Sequence, residues 1–253
     1  MNLFLLIIFF ILGTCMGSFY TVVGNHLVNE EDFMFNHSKC DHCGHKLNLL
    51  DMIPILSYVC LGGKCRYCKK KIDPLSTYME LFSGILYATA FYVFYIDYEL
   101  FIALGIISLL LIVIVTDVSY MIIPDELLIF MSIYFIVFQL LNIGVIETLK
   151  AIGSGILLFV IMYAIMLLGN KLFKKESLGG GDIKMMFIFG LLLGPLVGVI
   201  SIFLGSMIAL PVSLFLLIKE KENIIPFGPF LLISLTLLYF TQITPDVILG
   251  FLR

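Results

Sequence analysis

Two acidic residues stand where the surrounding sequence makes charge costly. Asp117 closes the run LLLIVIVTD, and Asp182 lies in Leu178-Gly179-Gly180-Gly181-Asp182-Ile183-Lys184, just before MMFIFGLLLG. Carboxylates at membrane depth mark function by default. Two carboxyls held close together cannot both ionise, so they share a proton. One can then act as a general base while the other, protonated, acts as a general acid. Simpler roles exist. Asp182 can cap the helix that follows it. Asp117 ends a helix, where the dipole disfavours an anion, so capping does not account for it. On the dipole argument alone, the shared proton is expected on Asp117. Asp125, after Pro124, fits a helix N-cap, and Glu126 fits the first turn of that helix. Lys184 can orient Asp182, pair with substrate, or reach for the interface. Glu80 either docks a loop or sits at the membrane surface.

The cysteines suggest a second kind of chemistry. Cys40-x-x-Cys43 and Cys65-x-x-Cys68 are separated by 21 residues, a spacing close to that of a two-knuckle zinc site. Each pair places two thiolates on one tight turn, and two turns close a tetrahedron around Zn²⁺. Gly44 after the first pair, and Gly62-Gly63 before the second, supply backbone freedom. His37, His42 and His45 lie near enough to serve as alternative ligands. Cys15 is expected to pack within a membrane helix and Cys60 within the loop. Such a site folds a loop; it does not say what the loop does.

The elements that must position these groups follow from composition. The 253 residues are 61% hydrophobic and 13% charged, with no Trp. Mean hydropathy is +1.11. That composition excludes an ordinary soluble globule and a disordered chain. A net charge of −3 excludes the basic excess of a nucleic-acid-binding protein. Apolar stretches at 3–23, 78–96, 100–116, 126–143, 151–170, 183–200, 201–218 and 229–251 predict an all-α integral membrane protein with about eight transmembrane helices. The first has no preceding Lys or Arg and no small-residue cleavage site, so it reads as a retained helix. The predicted organisation is a first helix (1–23), a cytosolic zinc-knuckle loop (24–75) and a polytopic membrane domain (76–253). From Ile183 to Gly194-Pro195 the helix is only about 17 Å long, roughly half the hydrocarbon thickness. A break inside the membrane is therefore expected, with a wet cleft around Asp182. Of the 15 Lys and Arg, only Lys150 and Arg253 fall outside the loops of one parity. Basic loops stay on the cytosolic side, so both acids are expected at cytosolic helix ends and both termini outside.

Taken together, these blocks resemble the type IV prepilin peptidases, membrane aspartic proteases of the GxGD type. The match runs through Cys40-x-x-Cys43, Leu56-Ser57-Tyr58, Cys65-Arg66-Tyr67-Cys68, Tyr78-Met79-Glu80, Asp117 with Ile123-Pro124-Asp125, and Gly179-Gly180-Gly181-Asp182-Ile183-Lys184. The stretch 29–39 departs from the family in lacking a Pro- and Arg-rich run. The resemblance implies Asp117 and Asp182 as the catalytic pair, with Gly179, Gly181, Lys184, Asp125 and Glu80 in support. It implies a prepilin or pseudopilin substrate, cut on the cytosolic side of a bacterial plasma membrane at a bond that commonly joins Gly to Phe. Acidic Glu30, Glu31 and Asp32 can meet the substrate's basic leader or simply face solvent. It also implies S-adenosylmethionine-dependent N-methylation of the new terminus, although no Gly-rich nucleotide loop appears. Two other classes compete. A transporter would use the two aspartates as a proton or cation site, and a scaffold would use the zinc loop for docking and the acids as caps.

Overall fold

The computed structural model describes residues 3–29, 40, 42–174, 179–219 and 226–243. His37 and the acidic run Glu30–Asp32 lie outside those residues, as do Lys175 and the last part of the apolar stretch 229–251. Among the described residues every regular element is helical: α1 (Leu3–Asn29), α2 (Leu56–Cys60), α3 (Leu75–Phe94), α4 (Tyr98–Tyr120), α5 (Asp125–Ile143), α6 (Val145–Phe173), α7 (Gly180–Lys219) and α8 (Gly228–Phe240). Each of the eight predicted stretches overlaps a helix, though 78–96 overruns α3 and, of 229–251, only the part up to Phe240 is described as helix. Of the helices, α1, α4, α5, α6 and α7 are long and apolar enough to cross a membrane. Two of the predicted spans share α7, whose backbone is non-helical at Gly194 (φ 75°, ψ 175°), where the expected break occurs.

The chain divides into two compact units, Met1–Ile96 and Asp97–Arg253. In the first, α1 and α3 pack backbone to backbone. A Cβ added at Gly13 would come within 2.7 Å of the Ser83 carbonyl oxygen, and one at Gly17 within 2.9 Å of Glu80 Cα. This Gly-x-x-x-Gly pair supplies the close approach that apolar helices need when burial from water cannot drive their association. The buried Tyr20 and Tyr87 hydroxyls, 2.7 Å apart, join the same two helices, and Phe9 stacks on Phe91.

In the second unit α4 is the most buried span. Its N-terminus is capped by Asp97, whose carboxylate accepts from the Tyr98 N–H. Gly105 lies against the rings of Tyr134 and Phe135 on α5. Helices α6 and α7 meet at small residues: a Cβ at Gly155 would come within 2.7 Å of the Phe187 carbonyl oxygen, and one at Gly190 would overlap Ser154. The Ser234 hydroxyl on α8 donates to the Ser201 carbonyl of α7 at 2.6 Å.

The break in α7 carries its own compensation. Pro195 has no N–H, so the Leu191 carbonyl loses its intrahelical donor. Gln139, buried on α5, donates its Nε2 hydrogen to that carbonyl at 3.1 Å. Replacing Gln139 with Leu should leave the carbonyl orphaned and cost about 1–3 kcal/mol. Unfolding of the purified protein in detergent measures it; wild-type stability in Gln139→Leu would show that the carbonyl does not depend on Gln139.

Candidate active site

Asp117 lies in the last turn of α4 and is 7% exposed. The helix ends there because Met121 takes a left-handed conformation (φ 55°), its N–H returning to the Asp117 carbonyl at 2.9 Å. Ile123 precedes Pro124, which pushes it toward extended backbone. The chain then enters α5, with Asp125 and Glu126 in the first turn. Glu126 has the first-turn placement expected of it, but Asp125 is the first residue of the helix rather than its N-cap, which is Pro124 with no side-chain capping bond, and Asp125 has a partner. Lys184 Nζ donates to both its carboxylate oxygens, at 2.7 and 2.6 Å. Lys184 therefore ties the first turn of α7 to the start of α5; no contact from it to Asp182 is seen among the described residues. Both side chains are half open to solvent, so the pair itself stabilises weakly.

Asp182 lies in the first turn of α7, half-buried. Two of the three glycines before it are required by close contact. A Cβ at Gly179 would come within 3.0 Å of Asp182 Oδ2, and one at Gly181 within 2.8 Å of Ile123 Cβ, whereas Gly180 faces open space. The Ile123 side chain thus lies against the start of α7. It also reaches the start of α8, where a Cβ at Gly228 would meet Ile123 Cδ1 at 3.0 Å and Asp117 Oδ2 at 3.0 Å. The Gly228 N–H donates to Asp117 Oδ2 at 3.0 Å in a buried hydrogen bond. Asp182 Oδ1 is buried with no hydrogen-bond partner among the described residues. Asp117, Asp182, Ile123 and Gly228 form one cluster built from α4, α7, α8 and the link into α5.

Sequence reasoning missed Gly228. It sits in Pro226-Phe227-Gly228-Pro229, with no acid, thiol or imidazole to draw attention. A usable signal was present: a glycine framed by prolines at a helix start, where backbone N–H groups lack intrahelical partners.

The remaining candidates belong to the first unit. Glu80 is buried on the second turn of α3. Its Oε2 accepts from the Ile55 N–H at 2.8 Å. Ile55 has a positive φ of 61°, a conformation that branched side chains resist, so this contact holds a strained turn of the loop in place. Glu80 also lines a cavity of about 690 Å³ together with Ser18, Tyr58 and Asp51. Cys15 lines it as well and is exposed, as is Cys60; neither is packed away as expected.

Cys40, Cys43, Cys65 and Cys68 converge, with all four Sγ atoms within 4.8 Å of one another. Cys40 and Cys68 Sγ lie 3.9 Å apart. A tetrahedral ion with sulfur bonds of about 2.3 Å spaces its ligands about 3.8 Å apart, so the four thiols fit a metal ion. The two knuckles close alike. Gly44 (φ 67°) returns its N–H to the Cys40 carbonyl, and Lys69 (φ 60°) returns its own to Cys65. The His45 and Tyr67 rings pack at a tilt of 36°, with centroids 3.7 Å apart. Asp51 braces the second knuckle by accepting from Arg66 Nε at 2.6 Å and from the Tyr67 hydroxyl at 3.1 Å. Burial pushes the Asp51 carboxyl up, but Arg66, the Asn48 N–H and Tyr67 outweigh it and hold the group below its ordinary value. The purified chain should carry one thiolate-bound metal ion, lost in Cys40→Ser or Cys65→Ser. Elemental analysis checks this, and full metal content in either variant would contradict the four-thiol site.

Comparison with known proteins agrees with this division of the chain. Residues 11–94 match the Bacterial Peptidase A24 N-terminal domain, and residues 104–214 match the Type IV leader peptidase family. The prepilin leader peptidase/N-methyltransferase of Bacillus subtilis is 34% identical over 192 residues, covering 75% of this chain and 74% of the relative. The protein of that name from Vibrio cholerae is 33% identical over 251 residues, covering 93% and 96%. The one from Myxococcus xanthus is 31% identical over 183 residues, covering 72% and 54%. No solved structure matches. With one profile falling within each compact unit and the Vibrio cholerae relative aligned along 93% of it, this chain belongs to the type IV leader peptidase family.

Proposed function

We propose that the chain is a membrane aspartic endopeptidase that removes the leader from type IV prepilin-like or pseudopilin substrates, with Asp117 and Asp182 as its catalytic dyad. The observation that supports this is the contact chain at the ends of α4 and α7: Ile123 lies against Gly181, next to Asp182, and against Gly228, whose N–H donates to Asp117. Two carboxyls so placed share a proton, the state that peptide hydrolysis by a dyad requires. Gly179 and Gly181 support the pair by allowing close approach, and Lys184 with Asp125 supports it by tying α7 to α5. The relatives' printed names support the substrate class. The apolar helices and the relatives make it a multi-pass protein of the bacterial inner membrane. The basic loops support a dyad facing the cytosol, where the substrate's leader would lie before an apolar stem that enters the bilayer. Membership of a peptidase family leaves the transporter alternative without support.

The four cysteines are assigned a structural Zn²⁺, the ion best suited to a closed set of thiolates. For the second activity in the relatives' names, S-adenosylmethionine is assigned to the cavity of the first unit. Its volume of about 690 Å³ suits a small cofactor, and Glu80 on its wall, which has no cationic partner among the described residues, complements a cationic one. When bound, that cofactor supplies a methyl group for the new N-terminal amine.

Co-expression with a prepilin-like substrate tests the protease. Asp117→Asn and Asp182→Asn should each lower leader removal at least about 100-fold, while Asp125→Asn should retain much of it. Normal processing in both dyad variants would refute the reading. The glycines offer a sharper contrast. Gly180→Ala faces open space and should process substrate normally, whereas Gly181→Ala must displace Ile123 and should cut the rate at least about tenfold, since misplacement by about 1 Å costs as much or more. Alanine favours helix at both sites, so equal loss in the two would point to the helix start itself rather than to the contact with Ile123.

A further inference from the structure

The two carboxyls do not have equivalent surroundings, and α8 makes the difference. Of the donors in the first turn of that helix, Pro229 has none. The Phe230 and Leu231 N–H groups both return to the Phe227 carbonyl, at 3.1 and 3.3 Å. The Gly228 N–H is the one directed outward, and it donates to Asp117 Oδ2. Only glycine lets the backbone come so near. A Cβ at 228 would sit 3.0 Å from Asp117 Oδ2, 3.0 Å from Ile123 Cδ1 and 3.2 Å from Val113 Cγ1. Asp182, by contrast, keeps a buried Oδ1 with no donor among the described residues. A hydrogen bond from an N–H favours the anion, whereas a buried carboxylate oxygen with no donor is costly when charged and not when it carries a proton.

We propose that the Gly228 backbone N–H is a positioning group that divides the labour of the dyad, holding Asp117 as the carboxylate and leaving the shared proton on Asp182. This rests on the reading of the pair as catalytic. It reverses the assignment drawn from the α4 dipole, because Asp117, although at the end of α4, lies in space at the start of α8. In hydrolysis, the water oxygen bonds to the scissile carbonyl carbon while one water proton passes to Asp117. The proton of Asp182 passes to the carbonyl oxygen, forming a neutral gem-diol. As the C–N bond breaks, Asp117 returns its proton to the leaving nitrogen. One hydroxyl proton returns to Asp182, so the starting state is restored.

Infrared spectroscopy of the detergent-solubilised protein, labelled with ¹³C-aspartate at neutral pH, tests the assignment. The protonated-carboxyl band should vanish in Asp182→Asn and persist in Asp117→Asn; the opposite pattern overturns the proposal. A second arm replaces residue 228 with glycolic acid, which exchanges the N–H for an ester oxygen and adds no side chain. Its kcat should fall at least tenfold with KM within twofold of wild type, and an unchanged kcat overturns the proposal. The spectra need no substrate, so the two failures are distinguishable. If the Asn variants lose cleavage but the band follows Asp117, the dyad stands and the division of labour falls. If both variants still cleave, the dyad falls and the division with it.

Discussion

A carboxylate buried in an apolar helix bundle must find donors, and Asp117 finds one in the backbone of a helix more than a hundred residues away. A hydrogen bond to a charged group contributes about 1.5–3 kcal/mol. The dipole of α4 opposes that charge by about 0.3–1 kcal/mol. The hydrogen bond outweighs that dipole, and its geometry sets conditions on the surrounding chain. Residue 228 must lack a Cβ, α8 must begin beside the end of α4, and Ile123 must fill the space between. Local helix polarity is therefore a poor guide to this site; what matters is the backbone that tertiary packing brings to the carboxyl.

The same economy of small side chains recurs wherever helices meet. Gly13 and Gly17 against α3, Gly155 and Gly190 between α6 and α7, and Gly181 against Ile123 all replace side-chain bulk with backbone contact. Between apolar helices in an apolar solvent, such dispersion contact and a few hydrogen bonds do what burial from water does in soluble proteins. Gln139 and Ser234 supply two of those hydrogen bonds, both to carbonyls of α7. The one at Leu191 shows how a helix can break within the apolar region: the proline that removes a donor is offset by an amide from the neighbouring helix.

The first unit follows different rules. Its loop buries little apolar surface, with Leu50, Leu56 and Val59 exposed, so it is held by directed contacts: four converging thiols, the Asp51–Arg66–Tyr67 clasp, and the docking of Ile55 on Glu80. Glu80 joins the loop to the α1–α3 pair, which gives a buried acid a structural role. Through Glu80, α3 also serves as the platform on which the loop docks.

Much of this was legible in the residues alone. Hydropathy marks the helices because every backbone polar group must be satisfied within an apolar run. The CxxC spacing announces a thiol cluster because two residues between cysteines put both sulfurs on one turn. Gly194-Pro195 announces a break because no helix carries both cheaply. Asp117 and Asp182 stand out because their cost in apolar sequence demands a reason. All of these are local properties, encoded within a few residues. Tertiary structure decided the rest: that Lys184 pairs with Asp125, that Gly179 and Gly181 but not Gly180 are contact-limited, that Glu80 docks a strained loop, and that Gly228 donates to Asp117. Each depends on two segments remote in the chain coming within a few ångströms. A backbone N–H, identical in every residue but proline, carries no mark in the sequence of the partner that packing will give it.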